Sequence, residues 1–231
     1  MVESKIVTVA GAIADKPSRL VAAGDAIEVL VPQRFVGRGA EKLERALDHF
    51  AVSVEGRHVL DAGSSTGGFT DSCLQRGAAN VFAVDVGHNQ LHEKLRNDPR
   101  VVSREGCNIR DLAPDAMPFP CSLVVADLSF ISLTKVLGVL ARLVTPEPGF
   151  SSPEMIVLVK PQFEVGRQEA SKGKGVITDP ILHDRVLQEV GDFAQSVGLS
   201  VAGVVESPIH GADGNREFLM HLIVGNVGPL A

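Results

Sequence analysis

His58-Val59-Leu60-Asp61-Ala62-Gly63-Ser64-Ser65-Thr66-Gly67-Gly68-Phe69-Thr70 is the stretch that decides the fold. A short apolar run closes on an acid, a loop of small residues with three glycines follows, and residues 69–77 have helical composition. This reads as a strand, a tight turn and a helix start. Glycines in such a turn let the backbone approach a ligand closely, and the first helical N–H groups are unpaired. The next strand, Val81-Phe82-Ala83-Val84-Asp85, ends in a carboxylate roughly twenty residues after the loop, where nucleotide-binding βαβ units hold a ribose diol.

Rival readings of the loop differ in what they require. No Lys-Ser or Lys-Thr pair follows the glycines, so it is not a P-loop, and with only Gly63, Gly67 and Gly68 the dinucleotide pattern G-x-G-x-x-G fails. Gly63-Ser64-Ser65-Thr66-Gly67 does match the G-x-S-x-G of a nucleophile elbow, which would make Ser65 the nucleophile of a serine hydrolase. Against that, an elbow follows several strands of sheet, and little of the chain precedes this turn. Asp61, the glycine turn and Asp85 together resemble the S-adenosylmethionine site of Rossmann-like methyltransferases. A glycine turn with a strand-end acid in some other α/β domain is the plain alternative.

Composition narrows the classes. With 22 basic and 28 acidic residues the net charge is −6, which argues against a protein that coats nucleic acid non-specifically but leaves room for a local basic surface. There is no Trp or Tyr and there are ten Phe, so base stacking on aromatic platforms is not the expected main mode of recognition. No apolar run approaches the roughly eighteen residues of a membrane span, and Met1-Val2-Glu3-Ser4-Lys5 opens with an acid, unlike a signal peptide. The cytoplasm is the expected compartment. Cys73, Cys107 and Cys121 form no C-x-x-C pair and read as buried thiols. His88 and His92 stand four apart with no third ligand nearby, so no metal is predicted.

Taken in order, residues 1–33 hold Ile6-Val7-Thr8-Val9, then Asp15-Lys16-Pro17-Ser18, then Gly24-Asp25-Ala26-Ile27-Glu28-Val29, which fits two short strands joined by a turn and a loop. The segment resembles the second half of an S4 RNA-binding domain, whose helical first half does not precede it here. Residues 34–40 read as a basic, glycine-punctuated linker containing Arg34 and Arg38, ahead of a main domain over 41–231. Its first helix carries Leu43, Ala46, Leu47 and Phe50 at a 3.6 period, with Lys42 in the first turn, the wrong sign for the helix dipole. Asn108 falls where an adenine would be read. Leu123-Val124-Val125-Ala126-Asp127 is a buried strand delivering Asp127 to the ligand edge, and Met155-Ile156-Val157-Leu158-Val159-Lys160 delivers a lysine to the same edge. Burying that lysine without a partner would be costly, which favours a functional reading. A basic loop with Arg167, Lys172 and Lys174 precedes a helix capped by Asp179 and started by Pro180, and Gly214-Asn215-Arg216-Glu217 turns into a last strand over 218–224.

Arg38-Gly39-Ala40-Glu41-Lys42-Leu43, Leu60 to Thr70, Val84-Asp85-Val86-Gly87, Val125-Ala126-Asp127-Leu128-Ser129-Phe130-Ile131-Ser132, Val159-Lys160-Pro161-Gln162-Phe163-Glu164 and Gly214-Asn215-Arg216-Glu217 run in order through nearly the whole chain. On these stretches the sequence resembles the FtsJ-like ribose 2′-O-methyltransferases, and within them the TlyA group, which also carries the name haemolysin A. Two positions depart from the pattern: the serine before Arg-Gly is Gly37, and a frequently paired glycine is Ala40.

The resemblance implies an α/β, Rossmann-like methyltransferase domain with a mostly parallel seven-stranded sheet, helices on both faces and an antiparallel last strand. It implies S-adenosylmethionine as cofactor, held by Asp61, Gly63, Ser64, Ser65, Thr66, Gly67, Gly68, Phe69, Asp85, Val86, Asn108 and Asp127. It implies a Lys42-Asp127-Lys160-Glu217 catalytic set acting on a ribose 2′-hydroxyl of ribosomal RNA, with Lys160 as the neutral base and the carboxylates orienting the lysines. RNA contacts are expected from Arg34, Arg38, Arg167, Lys172, Lys174 and Arg216. Base-amino methylation would want an Asn/Asp-Pro-Pro-aromatic turn where Asp127-Leu128-Ser129-Phe130 stands, and Cys121 precedes its strand, the wrong edge for a C5 nucleophile. A membrane-active haemolysin is the alternative from another class, yet no strongly basic amphipathic face or repeated alternating strands support it. A cofactor-binding regulator would have no need of two lysines at the reactive edge.

Overall fold

A computed structural model of the chain describes residues 1–2, 5–30, 34–150, 152–166, 169 and 175–225. They fall into two compact units, Met1–Arg34 and Phe35–Ala231.

The first unit is a small antiparallel sheet of β1 (Val7–Val9), β2 (Ala12–Ile13) and β3 (Ile27–Val29), in the order β2-β1-β3. Three strands appear where two were expected. Ala10 and Gly11 both take positive φ, 50° and 78°, which is the two-residue turn that folds a strand straight back on itself. Alternating Val7 and Val9 are buried with Ala14.

The second unit begins inside the segment read as a linker, because helix α1 (Gly39–Phe50) already includes Gly39 and Ala40. The Val36 N–H is held by Asp71 at 2.9 Å. There follow β4 (His58–Ala62), α2 (Gly68–Gln75), β5 (Asn80–Val84), α3 (Glu93–Arg96), β6 (Val101–Arg104), β7 (Leu123–Ala126), α4 (Leu137–Leu143), β8 (Glu154–Val159), α5 (Pro161–Glu164), α6 (Pro180–Ser196), β9 (Leu199–Glu206) and β10 (Phe218–Val224). The sheet order is β6-β5-β4-β7-β8-β10-β9, and β10 is antiparallel to both neighbours. This is the mostly parallel seven-stranded sheet the sequence led us to expect.

Its central strands are apolar throughout because both faces are covered. Leu60, Ala62, Phe82 and Val84 pack toward α4 and α6, while Val59, Val81 and Ala83 pack toward α1 and α2. Asp179 caps α6 through the Ile181 N–H, with Pro180 in the first turn, as expected.

The His92 ring accepts the Lys94 N–H and caps α3, so His88 and His92 do not share a helical face. A 3₁₀ turn, Leu133–Lys135, leads into α4.

Register sets the ligand edge. Ala62 is paired with Val84 on one side and Ala126 on the other, so Gly63, Asp85 and Asp127 leave the sheet together. Val159 is paired with Phe218, which puts Lys160 beside Glu217.

Candidate active site

Two clefts open on this edge. One, of about 410 Å³, is lined by Asp85, Val86, Gln90 and Asn108 among others. The second, of about 310 Å³, is lined by Arg38, Lys42, Thr66, Phe69, Lys160 and His210 among others. Gly63, Ser65, Asp127 and Ser129 line both, so they mark the junction. The first volume lies in the range of small-molecule sites.

At the junction the four expected charged residues come together. Lys160 Nζ lies 2.6 Å from Asp127 Oδ1 and donates to Ser129 Oγ at 2.8 Å. Lys42 Nζ lies 2.6 Å from Glu217 Oε2 and 3.8 Å from Asp127 Oδ2. Lys42, Lys160 and Glu217 are buried, whereas Asp127 is partly exposed. Each buried lysine thus has a carboxylate in contact, which is what makes its burial tolerable. Lys42 is no ordinary surface lysine: α1 turns it inward beside Leu43 and Ala46.

The loop after β4 is built around close approach. A Cβ on Gly63, where φ is 86°, would lie 2.6 Å from the Asp127 carbonyl oxygen, so only glycine lets β4 and β7 release their loops side by side. A Cβ on Gly37 would lie 2.9 Å from Thr66 Oγ1, so a serine there would require Thr66 to shift. Ser65 has φ 47° and donates its amide to Asp85 Oδ2 at 2.8 Å, while Asp85 Oδ1 accepts the Gly87 N–H at 2.7 Å. The Asp85 carboxylate thereby ties two loops together as well as lining the first cleft.

Of the residues expected at the cofactor, Gly63, Ser64, Ser65, Thr66, Gly68, Phe69, Asp85, Val86, Asn108 and Asp127 line one cleft or both. Asp61 and Gly67 line neither. Strand alternation turns Asp61 inward, where it is fully buried and its Oδ2 accepts the Thr70 hydroxyl at 2.6 Å. A Cβ on Gly67 would strike Leu95 and Leu91, so this glycine serves packing. Asn108 caps a short 3₁₀ turn by accepting the Arg110 N–H at 3.1 Å, which occupies its carbonyl oxygen.

Among the expected RNA contacts, Arg38 lines the second cleft. Arg34 ends the first unit. Arg216 is already committed: its Nε donates to Glu206 Oε1 at 2.8 Å, and its terminal nitrogen pairs with the other oxygen of the same carboxylate. Arg167, Lys172 and Lys174 lie outside the described residues.

Sequence reasoning missed Ser129, His210, Gln90 and Phe130 as cleft residues. Ser129 and Phe130 were in hand within the matched stretch after β7. Phe130 is 90% exposed with φ 64°, and its ring packs 5.1 Å from that of Phe163. No local signal marks Gln90 or His210, which reach the clefts through loop paths.

Comparison with known proteins bears on this geometry. A sequence model of the FtsJ-like methyltransferase family matches residues 35–223. The chain is 46% identical over 218 residues to the 16S/23S rRNA (cytidine-2′-O)-methyltransferase TlyA of Mycobacterium tuberculosis, covering 94% of this chain and 79% of that protein. It is 43% identical over 204 residues to Hemolysin A of Brachyspira hyodysenteriae, covering 87% and 81%. A solved structure from Streptococcus thermophilus that carries a provisional hemolysin name matches with a TM-score of 0.84 at 42% identity, covering 97% of this chain and 81% of that one. The fold is that of S-adenosylmethionine-dependent methyltransferases.

Proposed function

The chain belongs to the FtsJ-like methyltransferase family, and from that premise we propose that it methylates a ribose 2′-hydroxyl of ribosomal RNA with S-adenosylmethionine as donor. The observation that carries this reading is the junction itself, where Lys160 and Asp127 stand between a small-molecule cleft and a second, more polar one that Arg38 also lines. Family membership removes the hydrolase reading of Ser65. Among the described residues no helix is long and apolar enough to cross a membrane, so the hemolysin names of relatives find no support there.

When bound, the donor supplies an electrophilic methyl group on a sulfonium. The remaining work falls to side chains. Asp127 and Ser129 engage the two N–H bonds of a neutral Lys160 Nζ and fix its direction, which leaves its lone pair for the 2′-hydroxyl. As a neutral amine, Lys160 would take the proton that the 2′-hydroxyl gives up, and Asp127 would stabilise the resulting ammonium. The Lys42–Glu217 pair backs Asp127 from the other side and limits its rotation. Holding oxygen, methyl and sulfur in line supplies most of the acceleration.

Asp85 is the proposed ribose contact of the donor, with Gly63, Ser64, Ser65, Thr66, Gly68, Phe69, Val86 and Asn108 around it. Arg34, Arg38, Arg167, Lys172 and Lys174 are the proposed RNA contacts, and Arg216 joins them only by exchanging Glu206 for a phosphate. The Met1–Arg34 unit is proposed as an S4-like RNA-binding element, and the cytoplasm as the compartment. The test is transfer of tritium from labelled S-adenosylmethionine to ribosomal subunits lacking the modification. Alkali-resistant label in rRNA is the expected result; label in protein, or in alkali-labile form, would overturn the substrate assignment.

A further inference from the structure

Asp61 is the one acid of the ligand edge to which the transfer chemistry gives no work. It is fully buried two residues before Gly63, which lines both clefts. Its Oδ2 takes the Thr70 hydroxyl at 2.6 Å, while Oδ1 is buried with no hydrogen-bond partner. An ionised carboxylate with an orphan oxygen in such surroundings is unfavourable, so burial favours the neutral acid.

The groups that face it act in the same direction. Asp127 from the end of β7 and Asp85 from the end of β5 both repel a negative charge there. Cys73 on α2 is a buried thiol whose own ionisation is pushed well up, by burial first and then by Asp61, so it stays neutral. Lys42 and Lys160 are engaged with Asp127 and Glu217. Burial, opposed by the Thr70 hydrogen bond and reinforced by Asp127 and Asp85, pushes Asp61 up to about 7.

We propose that Asp61 distinguishes the sulfonium donor from its neutral thioether product: a positive charge at the junction of the clefts draws the proton off Asp61, and loss of that charge returns it. The inference rests on the donor assignment made above. Coupling runs one way in sign. A bound cation favours the carboxylate, so donor binding releases a proton and tightens as pH rises toward the free group's midpoint, then levels off. The thioether lacks the charge and therefore lacks this dependence. The donor-to-product preference is therefore smaller in acid and larger above neutrality.

The experiment is calorimetric titration of the full chain with S-adenosylmethionine and with S-adenosylhomocysteine, from about pH 6 to about pH 8, in two buffers of different ionisation enthalpy. Donor binding is expected to release more protons than product binding near neutrality. The donor-to-product affinity ratio is expected to rise about three- to tenfold over the range. Asp61→Asn, which keeps an oxygen for Thr70, is expected to flatten both effects. The ligands' amino groups titrate in both proteins and cancel in that comparison. Equal proton release for the two ligands in the unmodified protein would overturn the proposal, whether or not the variant folds. So would a variant with the unmodified pH dependence. If neither ligand binds, the donor assignment falls and the inference with it; if both bind with equal linkage, only the inference falls.

Discussion

The same four strands bury charge at both ends, and the two ends are built differently. At the amino ends of β4, β7 and β8, Arg57 is 2% exposed and donates to Ser122 at 3.1 Å, Glu154 at 2.8 Å and the Ser152 carbonyl at 3.0 Å, with Phe150 under its guanidinium. His221 of β10 meets the other Glu154 oxygen at 2.8 Å, and Ser122 passes its hydroxyl proton toward Glu147 at 2.6 Å. Each of these groups is satisfied by another protein group. At the carboxyl ends Lys160–Asp127 and Lys42–Glu217 are also paired, but they face clefts, and Asp61 keeps an orphan oxygen. Burial of charge therefore does not by itself mark a site. Charged pairs that also line open space do.

The largest effect should come from removing Lys160 at the open end. Lys160→Ala is expected to lower transfer by about a thousandfold or more while donor binding and melting temperature stay near those of the parent, read by tritium transfer beside calorimetry. Near-normal turnover would make the open end as structural as the closed one. At the closed end the order reverses. Arg57→Ala takes one of two partners from half-buried Glu154 and from buried Ser122 and is expected to cost about 3 kcal/mol in denaturant unfolding, with turnover per folded molecule unchanged.

How much of this was legible depends on how far apart the partners lie in the sequence. Asp85, Asp127 and Lys160 could be read because each ends an apolar strand, and parallel strands bring their ends to one edge. The closed end was not read at all: Arg57 meets Glu154 across 97 positions and His221 meets Glu154 across 67, with no local pattern to announce either. Asp61 was read as a cofactor ligand because it opens the glycine loop, but it is still strand, and the period of two turns it in with Val59. Arg216 was read as an RNA contact from its charge, yet the cross-strand pairing of Phe218 with Glu206 brings a carboxylate alongside.

A smaller effect tests whether the Lys42–Glu217 pair behind Asp127 matters. A Cβ at Gly211 would lie 2.5 Å from Glu217 Oε1 and 3.1 Å from its Cδ, so the buried Glu217 carboxylate must shift to admit it. Gly211→Ala is expected to displace Glu217 from Lys42 and lower turnover about ten- to a hundredfold, with donor affinity preserved. A neutral outcome would reduce the Lys42–Glu217 pair to packing.

The smallest effect sets the two ends against each other by sign. Asp61 is raised from 3.8 to about 7, chiefly by burial, so between those values the folded protein binds more protons than the unfolded chain and stability falls as pH rises. Relative to the parent, Asp61→Asn should therefore gain in melting temperature from about pH 4 to about pH 7 and then hold level, by on the order of 5 °C. Glu154 is the opposite case. Burial raises it, but the hydrogen bonds from His221 and Arg57 outweigh burial and hold it below the usual carboxylate range. Its ionised form stabilises the fold above the unfolded value and that contribution is lost as pH falls, so Glu154→Gln should lose ground to the parent as pH rises. Thermal melts from about pH 3 to about pH 7 should give slopes of opposite sign, that of Glu154→Gln confined to below about pH 5 and that of Asp61→Asn running from about pH 4 to about pH 7, and parallel slopes would erase the distinction between an acid held by its partners and one buried without.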